Sequence, residues 1–141
     1  MAGTVLRVMP KRTLDFTSVS SGMTEEIVVA QGIDISQWRE VSLMVRTHAN
    51  TIPGTGMGYI YINAYLEGRT SEDPGILFAA ATPVNSVTIS GSTVAPAYSV
   101  VPCTNSPAGS MMKITAMGSR PSSSSNLLRA DISVDLSLKS S

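Results

Sequence analysis

The segment from Leu128 to Lys139 alternates strictly between apolar and polar side chains. A period of two is that of a β-strand, in which successive side chains point to opposite faces of a sheet. The apolar set is Leu128, Ala130, Ile132, Val134, Leu136 and Leu138; the polar set is Arg129, Asp131, Ser133, Asp135, Ser137 and Lys139. The pattern predicts that the apolar set lies in a core. It leaves open whether the polar set faces water, a ligand or another copy of the chain.

Similar alternation, or runs of β-branched residues, recurs along the chain between loops rich in Pro, Gly and Ser. The other predicted strands are 4–9, 13–19, 25–31, 40–48, 58–66, 76–82, 86–90, 97–101 and 112–117, and the predicted loops are 53–58, 71–75, 90–96, 104–110 and 119–126. No convincing helical period is present, although residues 34–40 fit one short turn capped by Asp34 or Ser36. About eight to ten short strands predict an all-β fold, a single antiparallel β-sandwich of jelly-roll or Greek-key type.

The first residues of the chain differ from the rest. Arg7, Lys11 and Arg12 surround Pro10, and a proline does not fit in a central strand. We predict that residues 1–12 form an extended arm over a neighbouring subunit, a weak contact with nucleic acid, or an edge strand protected by Pro10 and positive charge. Residues 13–141 are then the β-sandwich domain.

The composition is unusually poor in charge. Charged residues make up 14% of the chain, against roughly 25% in ordinary soluble domains. Ten basic and ten acidic residues give a formal net charge of zero, so we expect no strong binding to nucleic acid or to an anionic membrane. No apolar run approaches the roughly 20 residues that span a bilayer, and we expect synthesis in the cytoplasm without a signal peptide. A neutral surface also lacks the repulsion that keeps monomers apart, which favours a homo-oligomer.

Residues that carry out catalysis or bind metals are scarce. His48 is the only histidine and Cys103 the only cysteine, so they cannot form a zinc site, and nothing in the sequence brings them together as a catalytic pair. Asp131 and Asp135 share a strand face but lie roughly 13 Å apart, too far to flank one glycosidic bond. The glycines of the GTGMG segment (54–58) precede a strand instead of opening a helix, which argues against a phosphate loop. We predict no enzymatic activity, no catalytic residue, no metal site and no cofactor.

The strand predicted at 58–66 has no face polar enough to be simply solvated. One face carries Ile60, Ile62, Ala64 and Leu66, and the other carries Tyr59, Tyr61, Asn63 and Tyr65. The tyrosines either pack under a loop of their own subunit, form a subunit interface or stack on sugar rings, for which Trp38 is a further candidate. The candidate interface or ligand residues are Tyr59, Tyr61, Tyr65, Trp38, Arg129, Asp131 and Asp135.

The stretch VVAQGIDISQWREVSLMVRTHANT, followed by GYIYINAYL, resembles the jelly-roll or Greek-key structural proteins of bacteriophage particles. In these proteins a hydrophobic strand, a D-[IL]-S-x-[WY] turn and a second long strand recur, and residues 25–66 follow that pattern. The resemblance implies a non-enzymatic virion component, such as a capsid decoration protein, a minor capsid protein or a tail-associated protein. Its partners would be copies of itself and a major capsid or other virion protein. The alternative is a glycan-binding β-sandwich that uses surface aromatics, since many such domains have a similar turn before a strand.

Overall fold

The structure is a computed structural model that describes residues 3–52, 58–68, 78–80, 82–103, 111–120 and 127–140. Its strands, numbered in chain order, are β1 (Gly3–Asp15), β2 (Thr24–Asp34), β3 (Glu40–Asn50), β4 (Tyr59–Gly68), β5 (Phe78–Ala79), β6 (Asn85–Ser90), β7 (Ala97–Pro102), β8 (Met111–Ser119) and β9 (Arg129–Lys139). Among these residues no helix is long and apolar enough to cross a membrane.

The strands form two antiparallel sheets. The first sheet has the order β1-β9-β3-β7, and the second has the order β2-β8-β4-β5, with β6 also paired to β4. The first four strands of the chain therefore alternate between the two sheets, and the chain winds around the sandwich as in a jelly roll. The predicted all-β sandwich is confirmed.

The core lies between the sheets and is built from the alternating apolar faces. All six apolar side chains of the closing segment are buried, which confirms that prediction. They meet the inward face of the second sheet, where Ile60, Ile62 and Ala64 of β4 and Ile114 of β8 are also buried. Leu66 is partly buried and packs against the same cluster.

The two strands predicted at 4–9 and 13–19 form one continuous strand, β1, so their separation at Pro10 was wrong. The strand lies at the edge of the first sheet and, among the described strands, pairs with β9 alone. An edge strand accommodates proline because one side of its backbone needs no partner. The β1–β9 register shifts between Arg7 and Met9 and between Met9 and Arg12. These irregularities accommodate Pro10, and the strand continues beyond it. Residues 3–12 thus belong to β1, while a separate role for them as an arm stays a prediction.

The turn predicted at 34–40 begins with a cap at Asp34. The Asp34 carboxylate accepts hydrogen bonds from the Ser36 amide (2.9 Å) and the Ser36 hydroxyl (2.6 Å), and these bonds lower the pKa of Asp34. The Trp38 amide donates to the Ile35 carbonyl at 3.1 Å, which closes a tight turn before β3. Of the predicted loops, 90–96 is seen as a turn and bend; the stretches 53–57, 71–75, 104–110 and 121–126 lie outside the described residues.

Candidate interaction faces

The tyrosines of β4 lie on the outward side of the second sheet, as the alternation predicts. We call this surface, formed by Tyr59, Tyr61, Asn63 and Tyr65, the tyrosine face. The rings of Tyr59 and Tyr61 are partly buried and stack, with centroids 6.0 Å apart and an interplanar angle of 29°. Tyr65 is only 9% exposed. The chain therefore covers part of this face by itself.

A polar network holds the tyrosine face in place. The carboxylate of Glu26, on β2, reaches across β8 and accepts hydrogen bonds from the Tyr65 hydroxyl (2.7 Å), the Thr115 hydroxyl (2.5 Å) and the Asn63 amide (3.3 Å). The Ser86 hydroxyl donates to the Asn63 carbonyl oxygen at 2.6 Å, which extends the network to β6. Four strands are thus joined by side chains on one outer face. Sequence reasoning missed the network because its members are far apart in the chain and meet only through strand pairing.

The network fixes the charge states of its members. Burial raises the pKa of Glu26, but the hydrogen bonds from Thr115, Tyr65 and Asn63, together with the charge of Lys113, outweigh it and hold the pKa below 4.5. The pKa of Tyr65 is raised, first by burial and then by donation to Glu26. The Lys113 ammonium lies 4.9 Å from the centre of the Tyr65 ring, within the range of a cation–π contact. An ionised Glu26 therefore binds a neutral Tyr65 over the whole neutral pH range.

Replacing Glu26 with glutamine is expected to change how stability depends on pH. Because folding lowers the pKa of Glu26, its ionised form stabilises the fold above pH 4.5 and this contribution is lost as the pH falls through the folded-state pKa. Glu26→Gln should cost about 1 kcal/mol at neutral pH, and the cost should shrink at low pH. Urea unfolding followed by the emission of Trp38, at neutral and acidic pH, measures the difference. Glu25→Gln, one residue earlier in β2 and also exposed but on the opposite strand face, is the control; a cost for Glu26→Gln that is equal at both pH values would contradict the argument.

The polar residues of β9 lie on the outer face of the first sheet and contact their own chain. Asp135 forms an ion pair with Arg7 of β1, and Asp131 accepts a hydrogen bond from the Thr13 hydroxyl at 2.6 Å. Arg129 Nε lies 3.4 Å from Thr51 Oγ1. These contacts tie β9 to its neighbours within one subunit. A role for Arg129, Asp131 and Asp135 between subunits stays a prediction.

The remaining residues singled out in the sequence lie apart from the tyrosine face. Trp38 is partly buried and packs against the core, so much of its ring is already in contact with protein. His48 Nε2 and Ser133 Oγ are hydrogen-bonded at 2.9 Å. Cys103 is fully buried, and burial raises the pKa of its thiol, partly offset by a backbone hydrogen bond from Leu43. In the described parts of the chain, no three His, Cys, Asp or Glu side chains group in a way that could hold a metal ion.

Exposed apolar side chains concentrate on the strands at sheet edges. Val5 and Leu6 lie on β1, Val28 on β2, and Tyr98 and Val100 on β7, and each is at least 40% exposed. Within the described ranges no further strand pairs with the outer edges of these three strands. Such edges combine unpaired backbone hydrogen-bonding groups with apolar surface, the combination that promotes pairing with another chain.

No family model and no curated protein matches this chain. Solved structures do match: the structure of infectious bursal disease virus Gx strain has a TM-score of 0.52 at 11% identity, and the crystal structure of the VP2 subviral particle of that virus has 0.52 at 10%. The structure of the Gt strain has a TM-score of 0.51 at 16% identity. In each case the match covers 97% of this chain but only 32% of the viral chain. At such identities the likeness concerns the fold alone, and the chain has a viral capsid-like β fold.

Proposed function

We propose that this chain is a non-enzymatic structural protein of a viral particle and that it self-associates into a symmetric homo-oligomer. The observation that carries the proposal is a capsid-like jelly roll whose edge strands expose apolar side chains. The low charge of the chain supports it, because a formal net charge of zero lets copies accumulate without repulsion.

The edge strands supply a physical basis for assembly. Pairing of two edges satisfies backbone groups that otherwise need water, and it covers part of the exposed side chains of Tyr98 and Val100 with side chains of the second copy. Apolar burial contributes roughly 25 cal/mol per Å², much of which is offset by the loss of rotational and translational freedom. Repeated contacts in a closed assembly then add strength that a single contact lacks.

The finer proposal is a capsid decoration protein or minor structural component of a bacteriophage virion. The turn from Asp34 to Trp38 and the two strands around it support this, because they follow the pattern that resembles phage structural proteins. The partner would be a major capsid protein or another virion protein, and the location would be the virion.

The alternative is a glycan-binding module that uses surface aromatics. The observation in its favour is the stacked pair of Tyr59 and Tyr61 on the tyrosine face, whose rings are only partly buried. Tyr65 and Trp38 offer less, because the first is nearly buried and the second packs against the core. Binding of sugar by a strictly monomeric protein that fails in a Tyr59→Ala/Tyr61→Ala variant would favour this alternative.

Light scattering on a sizing column, at increasing protein concentration, tests the main proposal. We expect a mass that is a multiple of 14.8 kDa, with closed rings or shells visible by electron microscopy. Val100→Lys should shift the distribution toward the monomer, because it places a charge on an apolar edge strand. A protein that remains monomeric at every concentration, alone and with other virion proteins, would rule the proposal out.

Val94→Lys is the matched control. Val94 is 81% exposed but lies in the segment between β6 and β7, outside any strand. If the same charge at position 94 leaves the oligomer intact, the effect at position 100 belongs to the edge of β7. If both variants dissociate the oligomer equally, general surface charge is responsible and the edge-strand argument is wrong.

A further inference from the structure

A polar pocket of about 270 Å³ opens on the outer face of the first sheet, opposite the tyrosine face. Its described lining is Thr13, Ala49, Thr51, Arg129, Ala130 and Asp131. The pocket exists because the β3–β9 register shifts between Thr47 and Ala49, where a small alanine stands between longer polar side chains. An Ala49 methyl therefore forms part of the pocket lining while the surrounding hydroxyl and charged groups converge on it.

The polar groups of the pocket are held in position by one another. The Thr13 hydroxyl donates to Asp131 Oδ1 at 2.6 Å, and the Thr51 hydroxyl donates to the Arg129 carbonyl at 3.0 Å. Asp15, the cross-strand neighbour of Arg129, has its pKa lowered chiefly by hydrogen bonds from Thr17, and the charge of Arg129 lowers it further. Among the described residues nothing is hydrogen-bonded to Asp131 Oδ2 or to the terminal nitrogens of Arg129. A strong acceptor and a strong donor thus remain available side by side.

We infer that this pocket binds a single neutral sugar ring. One guanidinium and one carboxylate in the lining balance each other, so a neutral ligand fits better than an ion of either sign. A sugar hydroxyl can donate to Asp131 and accept from Arg129 at once, and the C–H surface of the ring can rest on Ala49. The volume lies just below the roughly 300 Å³ at which pockets for larger organic ligands begin, which suits one ring and not a chain of them. The inference does not depend on self-association.

Saturation-transfer NMR with the full chain and a panel of neutral monosaccharides (glucose, galactose, mannose and N-acetylglucosamine) tests the inference. We expect transfer to at least one of them. Asp131→Asn keeps the shape of the side chain but removes its charge, and it should weaken binding about tenfold or more. Ala49→Leu fills the pocket from an exposed position and should abolish binding. Ser137→Ala, on the same face of β9 but outside the pocket, should leave binding unchanged.

The possible outcomes are distinct. No transfer to any sugar, or transfer that survives Ala49→Leu in a variant with wild-type melting behaviour, overturns the inference. Transfer that is lost in Tyr59→Ala/Tyr61→Ala, but kept in Asp131→Asn, places the sugar on the tyrosine face and also overturns it. If no sugar binds and Asp131→Asn changes the mass of the oligomer, the pocket is a subunit contact instead. Sugar binding to a monomer would support the inference even though the proposed function had failed.

Discussion

Replacing Gly118 with alanine is expected to destabilise the fold by about 3 kcal/mol, the upper part of the usual range for overpacking. A Cβ atom on Gly118 would overlap Cβ and Cγ of Phe16 and lie 2.7 Å from its Cδ1. Phe16 cannot easily move aside, because its side chain is 2% exposed and its amide donates to the Leu128 carbonyl at 2.7 Å. Either β8 or the turn after β1 must therefore shift. Urea unfolding followed by Trp38 emission gives the free energy of unfolding.

Gly68→Ala is the control for this substitution. Gly68 ends β4, and a Cβ atom there would meet nothing within 4 Å, so the change should stay within about 0.5 kcal/mol of wild type. A Gly118→Ala protein as stable as Gly68→Ala would show that Phe16 and β8 do not pack as described.

Both faces of β9 and β4 could be predicted from the sequence because strand alternation is a local property. The six alternating apolar residues at the end of the chain can all be buried only if they face the core, where the opposite sheet covers them. Alternation also separated the two faces of β4 correctly, although neither face is polar enough to be simply solvated. The turn at Asp34 was also local, since its carboxylate binds the backbone two residues ahead.

The separation of β1 at Pro10 was wrong for a reason that only topology supplies. A proline ends a central strand but not an edge strand. The sequence allowed an edge strand at residues 1–12 as one alternative, but only the pairing partners decide where a strand lies in its sheet. The same holds for the exposed edge at Tyr98 and Val100. Alternation predicted the strand but could not predict that β7 would lie outermost.

The polar sites depend on strand register even more strongly. Glu26 binds Thr115 and Tyr65, which lie far away in the chain, and the pocket joins Thr13 of β1 to Asp131 of β9. Asp131 and Arg129 were recognised as polar-face residues, but their partners could not be identified. A carboxylate is informative about function only once the groups that orient it are known.

Arg120→Met is expected to cost about 3 kcal/mol, since removing one member of a buried polar cluster leaves its partners desolvated. Arg120 follows β8 and is 1% exposed, the largest fully buried side chain among the described residues. Its Nε donates to the Val19 carbonyl at 2.8 Å, and its Nη2 donates to the Thr17 carbonyl at 3.2 Å. Methionine fills similar space but offers no donor, so both carbonyl groups of the turn between β1 and β2 lose this partner.

Hydrogen exchange in the turn between β1 and β2 is a second measurement of the effect of Arg120→Met. The Gly22 amide donates to the Arg120 carbonyl at 2.6 Å, and the Arg120 amide donates to the Met23 carbonyl at 3.1 Å. These backbone bonds and the side-chain bonds hold the same turn, so hydrogen exchange should accelerate at Val19 and Gly22 before it does so in β9. Arg12→Met, on the exposed surface of β1, should change neither the free energy of unfolding by more than about 0.5 kcal/mol nor the exchange of the turn. If Arg120→Met matched that control in both measurements, the buried guanidinium would not be what fastens the turn to β8.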